Sequence, residues 1–410
     1  MIASAPPAGK LRPFSIDPSR RADLDALRIL AFAALILFHV GQIYATWDSP
    51  VKSPWASPAA EPLLLLTAPW RLHLLFFISG AATKYLWDRS LSPAAFAASR
   101  AARLSPPLLF GALLLAPAAA YWAYLAGAEG ETIGFWPFWG GFLGLGGRAL
   151  PVGVVPGLEH IWFVAYLAAY TLGLFAALRC ARLLGWSWRW DGAAPLWVWL
   201  VAPAVVLAVL RRVLYDRLGD THVFVTDWYN HVVYGGFFLL GFVVARAPRF
   251  WLAVERLRWP ALQAAALSYA AYVPAYLNLV NAEGGLGLLE AWLERGMRSL
   301  FAWTAILAAL AWAQHGVRRA GPLSRYLGEA VFSCYLLHQP ILMLAWLAIG
   351  PLGWSWPAEA AALIALTAAG TLAGHELVRR TGPLRPLFGL KAAPSRREAV
   401  ADQLRAARST

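Results

Sequence analysis

Arg28 and His39 stand in one apolar run, RADLDALRILAFAALILFHV, with ten residues between them. If the run is helical, eleven steps turn through about 1100°, roughly 20° past three full turns. Both side chains then share a face, about 16 Å apart along the axis. Imidazole takes and returns a proton near neutral pH, so a histidine deep in an apolar segment is a natural general base. Arg100 and Arg103, in FAASRAARLSPP, are three residues apart and share a helical face as well. Two guanidiniums on one face suit a phosphate or pyrophosphate. Each feature alone has a plainer reading. An arginine at the edge of an apolar run anchors it, paired arginines in a loop set topology, and a histidine between helices makes a structural hydrogen bond.

More polar groups fall inside or beside apolar runs: His73, Glu159, His160, Asp227, Asn230, His231, His338, Gln339 and Glu376. Ionisable side chains in such segments are costly, so each is a functional candidate. For each one a structural hydrogen bond between helices is at least as good an account. Glu159, Asp227 and His338 are the candidates to orient His39. Asp25 is not one, because it lies about 21 Å from His39 along the same helix. The chain has no GxxxxGK[ST], no HExxH, no GxSxG and no Cys/His ligand set. No metal and no permanently bound cofactor is expected.

The elements that must hold these residues follow from composition. Of 410 residues, 60% are hydrophobic and 14% charged, and mean hydropathy is +0.54. Soluble domains carry roughly 25% charged residues, so a soluble enzyme and a disordered chain are both excluded. What remains is an all-α polytopic membrane protein built from spans of about 20 apolar residues. Apolar runs mark ten spans, near 27–46, 63–86, 104–126, 160–178, 194–210, 228–245, 260–280, 297–314, 327–349 and 357–378. Pro106, Pro107 and Pro117 predict kinks in the third. With the N-terminus inside, the alternation puts 27 of the 35 Lys and Arg inside and 8 outside. That bias supports ten spans with both termini cytoplasmic, and it accounts for the net charge of +13 without nucleic acid. The apolar but Gly- and Pro-broken segment 132–158 reads as an outer interfacial loop. The domain organisation is a basic cytoplasmic tail at 1–22, a transmembrane domain at 23–380, and a basic cytoplasmic tail at 381–410. The two cysteines, Cys180 and Cys334, read as small buried hydrophobes.

Four stretches together resemble the membrane acyltransferase-3 family. They are RADLDALRILAFAALILFHV, then HLLFFISGAATKYLW running on to FAASRAARLSPP, then LEHIWFVAYLAAY, and LSRYLGEAVFSCYLLHQPILM. Their order fits across residues 21–388. DWYNHVVYGGFFLLGFVVAR and LVRRTGPLRPLFGLK are more similar to the branch that includes the periplasmic glucan succinyltransferases. The resemblance implies an integral-membrane O-acyltransferase of the bacterial inner membrane. It would move an acyl group, acetyl or succinyl, from cytoplasmic acyl-CoA to a hydroxyl of an extracytoplasmic glycan or glycolipid. It implies His39 as the catalytic residue and Arg28, Arg100 and Arg103 as the acyl-CoA-binding ones. Supporting roles fall to Glu159, His160, Asp227, His231 and His338. The partners implied are acyl-CoA, a carbohydrate acceptor and the lipid bilayer. His39 would either take the proton of the acceptor hydroxyl or carry the acyl group itself. A transporter or flippase for a glycan or lipid precursor is the alternative class, and a purely structural membrane subunit a third.

Overall fold

The computed structural model describes residues 21–128, 130–145, 149–186, 190–281, 288–317 and 319–392. Among these residues the regular structure is all helical. Ten long helices, α1–α10, organise the fold: Ala22–Tyr44, Arg71–Arg89, Pro93–Gly127, Trp162–Leu183, Leu196–Leu210, Trp228–Val244, Arg258–Asn281, Leu288–Gly316, Pro322–Ile349 and Trp356–Arg380. Each overlaps one predicted span. Seven helices are long and apolar enough to cross a membrane on their own. An eighth candidate joins α6 to helix Pro248–Arg256 through a bend of 108°. Outward-facing Leu30, Leu172, Val205 and Leu267 are exposed, as a bilayer-facing surface requires.

Two predicted helix starts move for a local reason. The second span begins at Arg71 and not near residue 63, because Pro69 interrupts the run and leaves Glu61–Leu65 as a separate short helix. The third helix starts at Pro93, where Ser92 Oγ accepts the Ala95 N–H at 3.1 Å. Between Pro107 and Pro117 this helix takes a π-helical turn at Gly111–Leu115. Arg100 and Arg103 are therefore helical. Among its described residues, segment 132–158 holds one short helix, Phe135–Phe142.

α1 packs against α9, α8, α2 and α10, so Arg28 and His39 lie at the centre of the bundle. α2 and α6 run in close contact. A Cβ at Gly80 would fall 1.8 Å from the Phe238 carbonyl oxygen, and one at Gly241 2.0 Å from that of Phe77. Only glycine permits this approach, the small-residue packing common between membrane helices. Of the two expected tails, 1–20 and 393–410 lie outside the described residues. Residues 381–392 turn back through two short 3₁₀ turns, and Phe388 is buried against Phe110.

Candidate active site: two cavities on one helix

Two cavities share α1. The first, of about 790 Å³, is lined by Arg21, Arg28, Arg89, Arg103, Arg325, Arg385 and Lys391, with Asp25 and Glu329 the only carboxylates in its wall. We call it the arginine cavity. Part of its positive charge is already engaged. Arg21 pairs with Asp23, and Arg28 lies 3.3 Å from Asp25 while donating to the Gly328 carbonyl at 2.6 Å. Seven cations against two carboxylates still leave a strongly anion-seeking surface. Arg385 and Lys391 come from the segment expected to be a free tail. Arg385 is fixed by donating to the Lys391 and Arg379 carbonyls, at 2.7 and 2.9 Å.

The Arg100–Arg103 pair divides. Arg103 faces the arginine cavity. Arg100 is not in its lining, and its guanidinium donates to Thr83 Oγ1 on α2, tying α3 to α2.

The second cavity, of about 610 Å³, holds His39, His160 and His338 and is the histidine cavity. The same three helices line both. On α1 the contributors are Arg28 and His39. On α2 they are Arg89 and Arg71, and on α9 Arg325 and His338. Buried Ala31 and Phe32 separate the two on α1, and the Phe32 ring meets His338 edge-on at 6.0 Å.

His39 Nδ1 lies 2.9 Å from Gln42 Oε1. An amide oxygen only accepts, so Nδ1 carries the proton and Nε2 keeps its lone pair. None of Glu159, Asp227 and His338 makes this bond. The orienting residue is Gln42, three positions on along the same helical face, which sequence reasoning missed although the spacing was readable. The His39 and His338 rings are 5.2 Å apart, and those of His338 and His160 5.4 Å. His338 Nδ1 donates to the Tyr335 carbonyl at 2.5 Å, and His160 Nε2 to that of Leu336 at 2.9 Å. Each ring thus presents one nitrogen with a lone pair. Tyr335 in turn donates its hydroxyl to the His160 carbonyl.

Glu159 lines the cavity as well. It and His222 are the two non-glycine residues with positive φ among those described, at 45° and 50°, and both sit in this wall. Such backbone costs roughly 1–3 kcal/mol per residue and gathers where function requires it.

Asp227 and His231 lie away from the cavity lining. Asp227 is 1% exposed and accepts from Tyr166 Oη at 2.5 Å and from Asn230 Nδ2 at 2.9 Å. His231 is held between Tyr170 Oη and the Phe224 carbonyl. Asn230 also donates to Asp220 at 2.6 Å. This cluster fastens the loop that brings Asp220 and His222 to the cavity wall.

Two further cations line the histidine cavity, and sequence reasoning passed over both. Arg71 and Arg298 count in the charge tally as ordinary outer-side charges. Instead, Arg71 is 3% exposed, with its guanidinium 3.5 Å from the centre of the Phe38 ring. Arg298 lies 3.8 Å from Glu294.

The family model described as an acyltransferase domain, acyltransferase-3, matches residues 21–375. The match takes in α1 and its two cavities. No curated protein and no solved structure matches the chain.

Proposed function

Because the chain belongs to the acyltransferase-3 family of membrane O-acyltransferases, we propose that it moves an acyl group along α1, from acyl-CoA at the arginine cavity to an acceptor hydroxyl at the histidine cavity. The observation that carries this reading is the placement of a cation-rich cavity and a histidine-lined one on the same three helices. Arg28 and Arg103, with neighbouring cations, hold the phosphates of the donor. Bidentate, charge-assisted bonds of this kind are the strong ones. Arg100, bonded to Thr83, acts by positioning Arg103 on α3. The positive-inside bias supports a reading in which the arginine cavity faces the cytoplasm of a bacterial inner membrane and the histidine cavity the outer side. On that topology the acceptor is an extracytoplasmic glycan or glycolipid, and the acyl group is acetyl or succinyl.

His39 Nε2 accepts the proton of the acceptor hydroxyl as the oxygen attacks the thioester carbonyl. A C–O bond forms and the tetrahedral carbon carries the oxyanion. The C–S bond then breaks, and the CoA thiolate takes the proton from His39 Nε2. The products are an ester and free CoA, and His39 returns to its starting form. Gln42 holds the Nδ1–H throughout, which keeps Nε2 toward the substrate. The transporter and structural-subunit readings have no use for this arrangement and do not account for family membership.

The test uses membrane-embedded protein with acetyl- or succinyl-labelled CoA and cell-envelope glycans. Wild type is expected to transfer label to glycan with release of CoA, and His39→Ala to lose that transfer while still folded. Transfer by His39→Ala at the wild-type rate would remove His39 from the reaction.

A further inference from the structure

Arg71 is a buried cation without a buried anion. It is 3% exposed, and Nε and Nη1 have no hydrogen-bond partner among the described residues. No carboxylate there pairs with it. Of the two carboxylates in the cavity lining, Asp220 is already occupied by Asn230 and His222, and Glu159 makes no ion pair with Arg71. Phe38 covers one face of the guanidinium, a contact that offsets part of the desolvation cost but satisfies no N–H. A buried charge in this state is strongly unfavourable unless something brings the opposite sign.

The position is not accidental to packing. Arg71 is the first residue of α2, placed there by the break at Pro69, and its side chain lines the same cavity as His39. It is close enough for its charge to act on both His39 and His338. Arg298 lines that cavity too, with an Nε that also lacks a partner. Both arginines stand with the proton-transfer group, apart from the cavity assigned to the CoA phosphates.

We infer that the histidine cavity is a site for an anionic oxygen group, a carboxylate or phosphate carried by the substrate, and that Arg71 is its principal contact. This rests on the acyl-transfer reading and narrows its substrate class: one of the two groups brought together at His39 is acidic. The anion arrives either on the acceptor glycan or as the terminal carboxylate of a dicarboxylic acyl chain. The guanidinium fork recognises both in the same way. A neutral acceptor receiving a neutral acyl group would offer Arg71 no anion in the bound ground state, only the transient oxyanion of the tetrahedral intermediate.

The test is binding, measured without turnover, so that it can fail separately from acyl transfer. Full-length protein in nanodiscs is followed by thermal shift at constant ionic strength. One arm compares glucuronate and glucose 1-phosphate with glucose. The other compares succinyl-CoA with acetyl-CoA. At least one arm is expected to prefer the acidic probe by roughly tenfold or more, the scale of a hydrogen bond to a charged group. Arg71→Gln should abolish the preference, and Arg71→Lys should weaken it. A preference in the sugar arm places the anion on the acceptor, and one in the CoA arm places it on the acyl chain. Equal affinity for acidic and neutral probes in both arms overturns the proposal, as does an unchanged preference in Arg71→Gln. Should Arg71→Gln fail to fold, an unchanged preference in Arg71→Lys is the overturning result. Absence of acyl transfer by wild type in the separate turnover assay, with the binding preference intact, would count against the acyl-transfer reading alone.

Discussion

The two cavities on α1 solve opposite electrostatic problems. Four of the arginine cavity's seven cations, Arg89, Arg103, Arg325 and Lys391, are exposed, so water and salt screen them. On the proposed function, its affinity for phosphates would come from number. The histidine cavity holds few charges, the rings of His39, His160 and His338 are held by Gln42 and by carbonyls, and its buried cation Arg71 has no counter-charge among the described residues. Its chemistry comes from placement. Changes in the first should alter how tightly the donor binds, and changes in the second how fast the acyl group moves.

The sharpest break between the two is at His39. His39→Ala should lower kcat by roughly 10²–10⁴-fold, the worth of a general base, and leave the KM for acyl-CoA near its wild-type value. Steady-state kinetics in nanodiscs check both parameters. A KM effect alone would move His39 into donor binding.

Next in size is the arginine cavity. Arg103→Ala should raise the KM for acyl-CoA by about 10- to 100-fold, since hydrogen bonds between charged groups contribute roughly 1.5–3 kcal/mol. Added salt should raise the wild-type KM and raise that of the variant less. Equal salt responses would show that Arg103 does not meet the phosphates.

Gln42→Ala removes one neutral hydrogen bond of about 0.5–1.5 kcal/mol, so kcat should fall by roughly two- to tenfold. It frees the imidazole to rotate without deleting it. Restoration of the rate by Gln42→Glu, whose accepting oxygen has the same reach to Nδ1, would support the orienting role.

The smallest effect on chemistry is expected at Asp227. Asp227→Asn weakens the bonds to Tyr166 and Asn230 and should lower thermal stability, by about 1–3 kcal/mol for a buried polar group left short of partners. Transfer per folded molecule should be unchanged. A lower kcat at full occupancy of folded protein would bring Asp227 back into the reaction.

The same contrast marks how far the sequence could be read. Apolar runs located all ten long helices, and helical geometry placed Arg28 and His39 on one face of α1, because both depend only on local periodicity. The division of the Arg100–Arg103 pair was not legible, since it turns on where Thr83 lies across the helix interface. Asp227 and His231 have the residue types of an active site, but their hydrogen bonds join a cluster outside the cavity lining, which only tertiary contacts reveal. Arg71 falls within the predicted second span and counts there only as an outer-side charge; that its guanidinium lines the cavity of His39 is visible only in the fold. Arg385 and Lys391 looked like tail until the 381–392 segment folded back under Phe388. Gln42 was visible three residues from His39, on the same face.

The central claim is that donor and acceptor reach α1 from opposite ends. Sealed vesicles with the protein in one orientation test it most directly, with a C-terminal tag reporting the side of Arg385 and the arginine cavity. Membrane-impermeant labelled acetyl-CoA is supplied to one face and glycan acceptor to the other. The account predicts labelled glycan only when acetyl-CoA is on the tagged face and the acceptor opposite. Labelled glycan only when both are on the same face would contradict it.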